Sequence, residues 1–184
     1  MKNRILTTIV SAVLVTGLLA SCDLFDKVDD VSFTADIKKS FNVSGAEEGA
    51  YADQIVLDAT SDSEINKYKE KITDIEVNKV TYRVSNYSGP DGATFDGEML
   101  FDASGGSASG SLGSVSISSV NLGTASSAGT EFELDLEQSE VDAIAAQLQD
   151  NNTVTATMDG TISAGPVSFT VEVVINAKIT ADAL

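Results

Sequence analysis

The stretch Val167-Ser168-Phe169-Thr170-Val171-Glu172-Val173-Val174-Ile175-Asn176-Ala177-Lys178-Ile179-Thr180-Ala181 decides the fold. Every second residue from Val167 to Ala181 is apolar, and all but one of the residues between are polar. A period of two puts the apolar set on one face of a β-strand. Val174 breaks the pattern outward, but singly, and a lone exposed apolar residue needs no function. Working back, the same grammar recurs. Val31, Phe33, Ala35 and Ile37 alternate with Ser32, Thr34, Asp36 and Lys38. Val80, Tyr82 and Val84 share a parity, as do Phe95, Met99 and Phe101, then Val115 and Ile117, then Phe132, Leu134 and Leu136. Strands with one dry and one wet face belong to packed antiparallel sheets. Ile75 and Val77 have the opposite parity to Val80, so a β-bulge is expected near Asn78-Lys79.

Two short helices interrupt this pattern. Ser61-Asp62-Ser63-Glu64 is a capping-box signal, after which Ile65, Tyr68 and Ile72 share a helical face. A second helix starts near Ser139. Val141, Ile144, Ala145 and Leu148 give it i, i+3, i+4, i+7 spacing, and Asp150-Asn151-Asn152 ends it. Ser88-Gly89-Pro90-Asp91-Gly92 and Ser163-Ala164-Gly165-Pro166 mark turns. Residues 103–130 are rich in Gly, Ser and Ala and hold one convincing strand, around Val115–Leu122. They read as a loop or weak edge. Val80-Thr81, Phe95 and Glu98 match Val154-Thr155, Phe169 and Glu172 at a constant offset of 74. Internal duplication and shared strand grammar both account for that. The expected fold is all-β: a two-sheet β-sandwich of eight or nine strands with two short helices, immunoglobulin-like in a loose sense. No Cys…Trp…Cys signature ties it to true immunoglobulin domains. The helix-then-strand order around Thr73–Gly89 resembles the sandwich of late-embryogenesis-type domains, a likeness that implies no function here.

Composition removes whole classes of chemistry. The chain has 184 residues, 28 acidic and 11 basic, a net charge of −17 and a pI near 4.1. Nucleic-acid binding needs clustered Lys and Arg and is not expected. With no histidine there is no histidine base, and with one cysteine there is no intrachain disulfide and no His/Cys zinc site. Gly106-Ser107-Ala108-Ser109-Gly110 lacks the central serine of a nucleophile elbow, and Gly-rich 104–113 lacks the Lys-Ser/Thr ending of a phosphate-binding loop. Carboxylate pairs abound by chance among so many acids, so a carboxylate-dependent hydrolase is the weakest reading and no catalytic residue is assigned. Calcium is the one cofactor worth weighing. Asp58, Asp62 and Glu64 surround a helix start, and Asp91 and Asp96 flank a turn, but none has EF-hand spacing. Capping explains Asp62 and Glu64 equally, so no metal is expected.

The N-terminus carries the targeting information. Lys2 and Arg4 precede an uncharged apolar run from Ile5 to Leu19, too short for a membrane span. The run ends in Leu19-Ala20-Ser21-Cys22, the sole cysteine. This tetrapeptide resembles the lipobox of bacterial lipoproteins. The resemblance implies a signal peptide over 1–21, cleavage before Cys22, and a covalent lipid on Cys22 as the only non-protein group. Each buried methylene of such a lipid contributes about 0.8 kcal/mol, so two or three chains hold a domain permanently. Residues 22–30 follow as a lipidated cysteine and acidic tether. Their Asp23, Asp26, Asp29 and Asp30 resemble the surface-export signal of Bacteroidota envelope lipoproteins, with Leu24 and Phe25 interrupting the run. A solvated tether is the plainer reading of the same residues. Residues 31–184 form one domain. The expectation is therefore a protein anchored in the bacterial outer membrane, at the cell surface or otherwise on the periplasmic face. Its ectodomain is a non-catalytic binding or structural sandwich whose partner is an envelope protein or polysaccharide. The alternative is a glycan-binding surface lipoprotein accessory to a nutrient-uptake complex. Tyr51 and Tyr87 are the aromatic candidates for such contact, since Tyr82 and Tyr68 keep core parity.

Overall fold

A computed structural model describes residues 30–104 and 110–182. The strands are β1 (Asp30–Ala46), β2 (Gly49–Asp58), β3 (Ile72–Ser88), β4 (Thr94–Ala103), β5 (Ser111–Asn121), β6 (Glu131–Glu133), β7 (Thr153–Ile162) and β8 (Val167–Asp182). The helices are α1 (Ser63–Tyr68), α2 (Leu122–Ala128) and α3 (Gln138–Asn151), with a 3₁₀ turn at Ala59–Ser61. Two four-stranded antiparallel sheets, ordered β1-β8-β3-β6 and β2-β7-β4-β5, pack their apolar faces together. The chain is a two-sheet β-sandwich.

β8 is central, flanked along its length by β1 and β3. Its alternate residues Val167 through Ala181 are each at most 3% exposed. The expected bulge is present as a register shift between Val77 and Lys79. It lets both Val77 and Val80 face the core. Tyr82 points inward and stacks on Phe132 of β6, ring centroids 5.0 Å apart. Buried Gln147 of α3 is satisfied by donating to the backbone carbonyls of Ser104 and Thr153, at 2.9 and 3.0 Å.

Four expectations need correction. There are three helices among the described residues, not two. The strand expected around Val115–Leu122 is present as edge strand β5 but starts earlier, at Ser111, and it is followed by α2 where a loop was expected. α2 reads Leu-Gly-Thr-Ala-Ser-Ser-Ala, in which Gly123, Thr124, Ser126 and Ser127 are weak helix formers. It forms because Asn121 caps its start, Gly129 adopts φ +61° at its end, and Leu122 and Ala125 bury one face. Ile72 begins β3 rather than extending α1, which ends at Tyr68. Asp30 belongs to β1, opposite Asp182, so the tether yields to structure one residue early. Cys22, Asp23, Asp26 and Asp29 lie outside the described residues.

The topology has an internal symmetry. Advance every strand by four, counting β1 after β8, and the first sheet becomes β5-β4-β7-β2, the second sheet read backwards. α1 before β3 then corresponds to α3 before β7. The offset of 74 links these same strands, β3 with β7 and β4 with β8. The register departs from it by two residues. Val80 pairs with Ile175, whereas Val154 pairs with Ala103 rather than Phe101. A shift of two leaves every side chain on its own face.

Strand directions give the sandwich two distinct ends. At one, β1 begins beside the end of β8, Ile72 opens β3 opposite Ala181, and α1 packs nearby. At the other lie the β1–β2, β3–β4 and β7–β8 turns and α2.

Candidate functional site

The two tyrosines singled out from sequence come to different places. Tyr51 sits on edge strand β2, paired with Gly160, and is half-buried. Its hydroxyl donates to Asp53 Oδ2 at 3.3 Å. Burial, with the adjacent Asp53 carboxylate, pushes its ionisation up to about 12. Asp53 Oδ1 also accepts the Gln54 N–H at 2.8 Å. Tyr51 is thus part of how β2 closes its own edge.

Tyr87 sits near the end of β3 and lines an open groove of about 660 Å³ with Asp91, Gly92, Asn121, Gly123, Thr124, Ser126, Ser127 and Ala128. Tyr51 lines no part of it. The groove exists because two elements diverge. The β3–β4 turn carries Asp91 and Gly92, and α2 swings out past the end of β5. Leu122 N–H donates to Ala93 C=O at 3.0 Å, pinning the start of α2 to that turn. Ser126 Oγ accepts the Tyr87 N–H at 3.2 Å, pinning its middle to β3. Gly123 lies beside the ring: a Cβ there would be in van der Waals contact, 3.4 Å from Tyr87 Cε1. The Tyr87 hydroxyl donates to Pro90 C=O at 2.6 Å, which fixes the ring without help from any ligand. Burial and the Asp91 carboxylate both hold its ionisation above the usual tyrosine range.

The remaining polar groups divide into spent and open ones. Asn121 Oδ1 accepts the Thr124 N–H as the helix cap, at 2.8 Å, which leaves its Nδ2 donors open. Ser127 Oγ donates to Gly123 C=O at 2.8 Å. Among the described residues, no hydrogen bond engages the Asp91 carboxylate or the Thr124 hydroxyl. Among the described residues no Lys or Arg lines the groove. Sequence reading names Tyr87, weighs Asp91 only as a calcium ligand, and misses Asn121 and Thr124. The only local signal for α2 was Asn121 and Gly129 spaced to cap a short helix.

The other grooves differ in kind. One runs over the outer face of the first sheet, where Lys79 pairs with Glu131 at 2.8 Å and Arg83 with Glu172 at 2.9 Å. Each cation there is matched by an acid. Lys79 is held above the usual lysine range by its hydrogen bond to Glu131, then by that carboxylate's charge. Glu131 is depressed by the same pair. Among the described residues no three potential metal ligands gather in one place.

No family model matches this chain, and no curated protein matches it. Among solved structures it is similar to a chain from Desmodium yellow mottle tymovirus, 9% identical, with a TM-score of 0.34, covering 84% of this chain and 90% of that one. Neither fold detail nor function is carried across from it.

Proposed function

We propose that this chain is a lipid-anchored protein of the bacterial outer membrane, exposed at the cell surface. Its sandwich acts by binding or spacing rather than by catalysis. One observation supports this above others: the end where the N-terminal segment joins β1 is opposite the end that carries the Tyr87 groove. From Cys22 to Asp30 is eight residues, a reach of at most about 28 Å. A lipid on Cys22 would therefore hold one end close to the bilayer and present the groove outward. Lys67, Lys69 and Lys71 lie on or just after α1, at the anchored end. The second reading, a glycan-binding lipoprotein beside a nutrient-uptake complex, draws on the same polarity and on the hydroxyl-lined groove.

The test has two arms. Cys22→Ala should remove the protein from the detergent phase and leave it as precursor or soluble chain. Unchanged partitioning of that variant would overturn the anchor. Protease added to intact cells should shave off the domain. Digestion only after lysis would move it to the periplasmic face and remove the surface reading.

A further inference from the structure

We infer that the groove between Tyr87 and α2 binds a neutral glycan, with Asp91, Asn121 and Thr124 as its polar contacts. This rests on the binding-module reading above.

Three properties of the groove argue for this ligand class. The first is shape. About 660 Å³ of open space falls within the range of small-ligand sites, and its open side suits a chain passing through rather than an enclosed small molecule. The second is preorganisation. The Tyr87 hydroxyl is bonded to the Pro90 carbonyl, which fixes the ring, and its backbone N–H is bonded to Ser126 Oγ, which fixes the strand behind it. An aromatic held rigid before binding loses little freedom when a sugar ring packs on it. The third is the set of open polar groups. A carboxylate accepts from two hydroxyls at once, an amide NH₂ donates to hydroxyl or ring oxygens, and a threonine hydroxyl does either. That combination matches vicinal diols.

Charge excludes the neighbouring classes. Anionic sugars, nucleotides and phosphates would meet Asp91 with no base in the groove to offset it. Among the described residues every Lys and Arg lies on the first sheet or at α1 and the turn after it: Lys38, Lys39, Lys67, Lys69, Lys71, Lys79, Arg83 and Lys178. A predominantly apolar ligand would leave Asp91, Asn121 and Thr124 facing it unpaired, which costs more than the contact returns. The sequence-level candidate Tyr51 is excluded from this site, because it lines no part of the groove.

The probe is a panel of neutral polysaccharides cast into native gels, glucan, mannan, galactan and xylan, with polygalacturonate as the acidic comparison. Full-length protein in mild detergent should be retarded by at least one neutral polymer and not by polygalacturonate. Asp91→Ala and Thr124→Ala should each weaken that retardation about tenfold or more. Neither side chain is hydrogen-bonded within the fold, so far-UV spectra and melting should stay unchanged in both. Tyr51→Ala should leave retardation intact. The inference is overturned by a wild-type protein indifferent to every neutral polymer, by retardation only on polygalacturonate, or by retardation that both groove variants retain. Failure of the anchor reads separately: a Cys22→Ala protein should bind the same polymer as the lipidated one.

Discussion

Gly97 and Gly160 face each other across β4 and β7, and neither position has room for a side chain. A Cβ on Gly97 would lie 2.1 Å from the Asp159 carbonyl oxygen. A Cβ on Gly160 would lie 2.4 Å from the Asp96 carbonyl oxygen and 2.7 Å from Phe95 Cζ. The obstructions are mostly backbone, so they cannot swing aside. Gly160→Ala should therefore destabilise the fold by about 1–3 kcal/mol, the usual range for overpacking, read as a lower urea midpoint at unchanged slope. Gly110→Ala is the control, because no atom of the described residues lies within 4 Å of its Cβ position. A glycine inside a strand advertises close approach in sequence. Which two glycines meet is decided by register, which no local pattern around residue 97 or 160 encodes. The same holds for Tyr51 and Tyr87. Both are aromatic candidates by sequence, and only the fold commits one to an edge and the other to a groove.

At the scale of elements, the recurring theme is how edge strands are closed. An open edge offers unpaired N–H and C=O groups to any passing strand. On β1, Lys39 holds inward parity between Ile37 and Phe41 yet stays exposed, an obstacle to a further strand. On β2, Asp53 takes the Gln54 N–H. On β5, Glu140 of α3 takes the Ser114 N–H at 3.1 Å. β6 is three residues long. Glu140 has a second task, since its Oε2 accepts the Glu137 N–H at 2.9 Å within the capping box of α3. One carboxylate thus ties a helix start to a sheet edge. Glu140→Ala should cost about 1–2 kcal/mol, the sum expected for a lost cap and an orphaned edge donor. Amide exchange at Ser114 should accelerate while exchange in β8 tracks only the global change. Equal acceleration everywhere would mean that Glu140 acts on the whole fold and not on that edge. α3 was legible, because Val141, Ile144, Ala145 and Leu148 repeat at helical spacing. α2 was not, because seven residues, four of them Gly, Ser or Thr, are too few to carry a periodic signal. Its two caps and its burial of Leu122 and Ala125 are what hold it.

For the whole molecule, charge is segregated between the sheets. β2, β4, β5 and β7 carry Asp53, Asp58, Asp96, Glu98, Asp102 and Asp159 and no base. β1, β3 and β8 mix both signs and form ion pairs over their outer face. Those pairs are exposed and contribute little individually. The strand-order symmetry gives a sharper prediction. Asp30 and Asp182 are paired in one ladder, so a short Gly/Ser linker can join the two ends. Opening the chain between Ser104 and Gly110 would then give a permutant running β5 to β8, then β1 to β4. By the symmetry, its strand order is the natural topology relabelled. It should melt cooperatively and elute as the natural domain does. A product that binds hydrophobic dye and melts without a transition would show that the symmetry is only one of pattern.

The sequence by itself determined the class of fold, because a period of two across Val167–Ala181 can be satisfied only by a strand with one dry face. It also determined the bulge at Asn78-Lys79, since parity cannot reverse without an extra residue, and the start of α1 to within one residue: the cap is Asp62, which takes the N–H groups of Glu64 and Ile65, and not a Ser61–Glu64 capping box. These are local constraints, written within a few residues of where they act. The tertiary structure alone decided which strands are neighbours, which glycines touch, that α2 forms, and that Tyr87, Asp91, Asn121 and Thr124 share one groove. Those outcomes depend on contacts between residues distant in the chain. Such contacts are selected by the burial of both sheets together, and no single segment carries them.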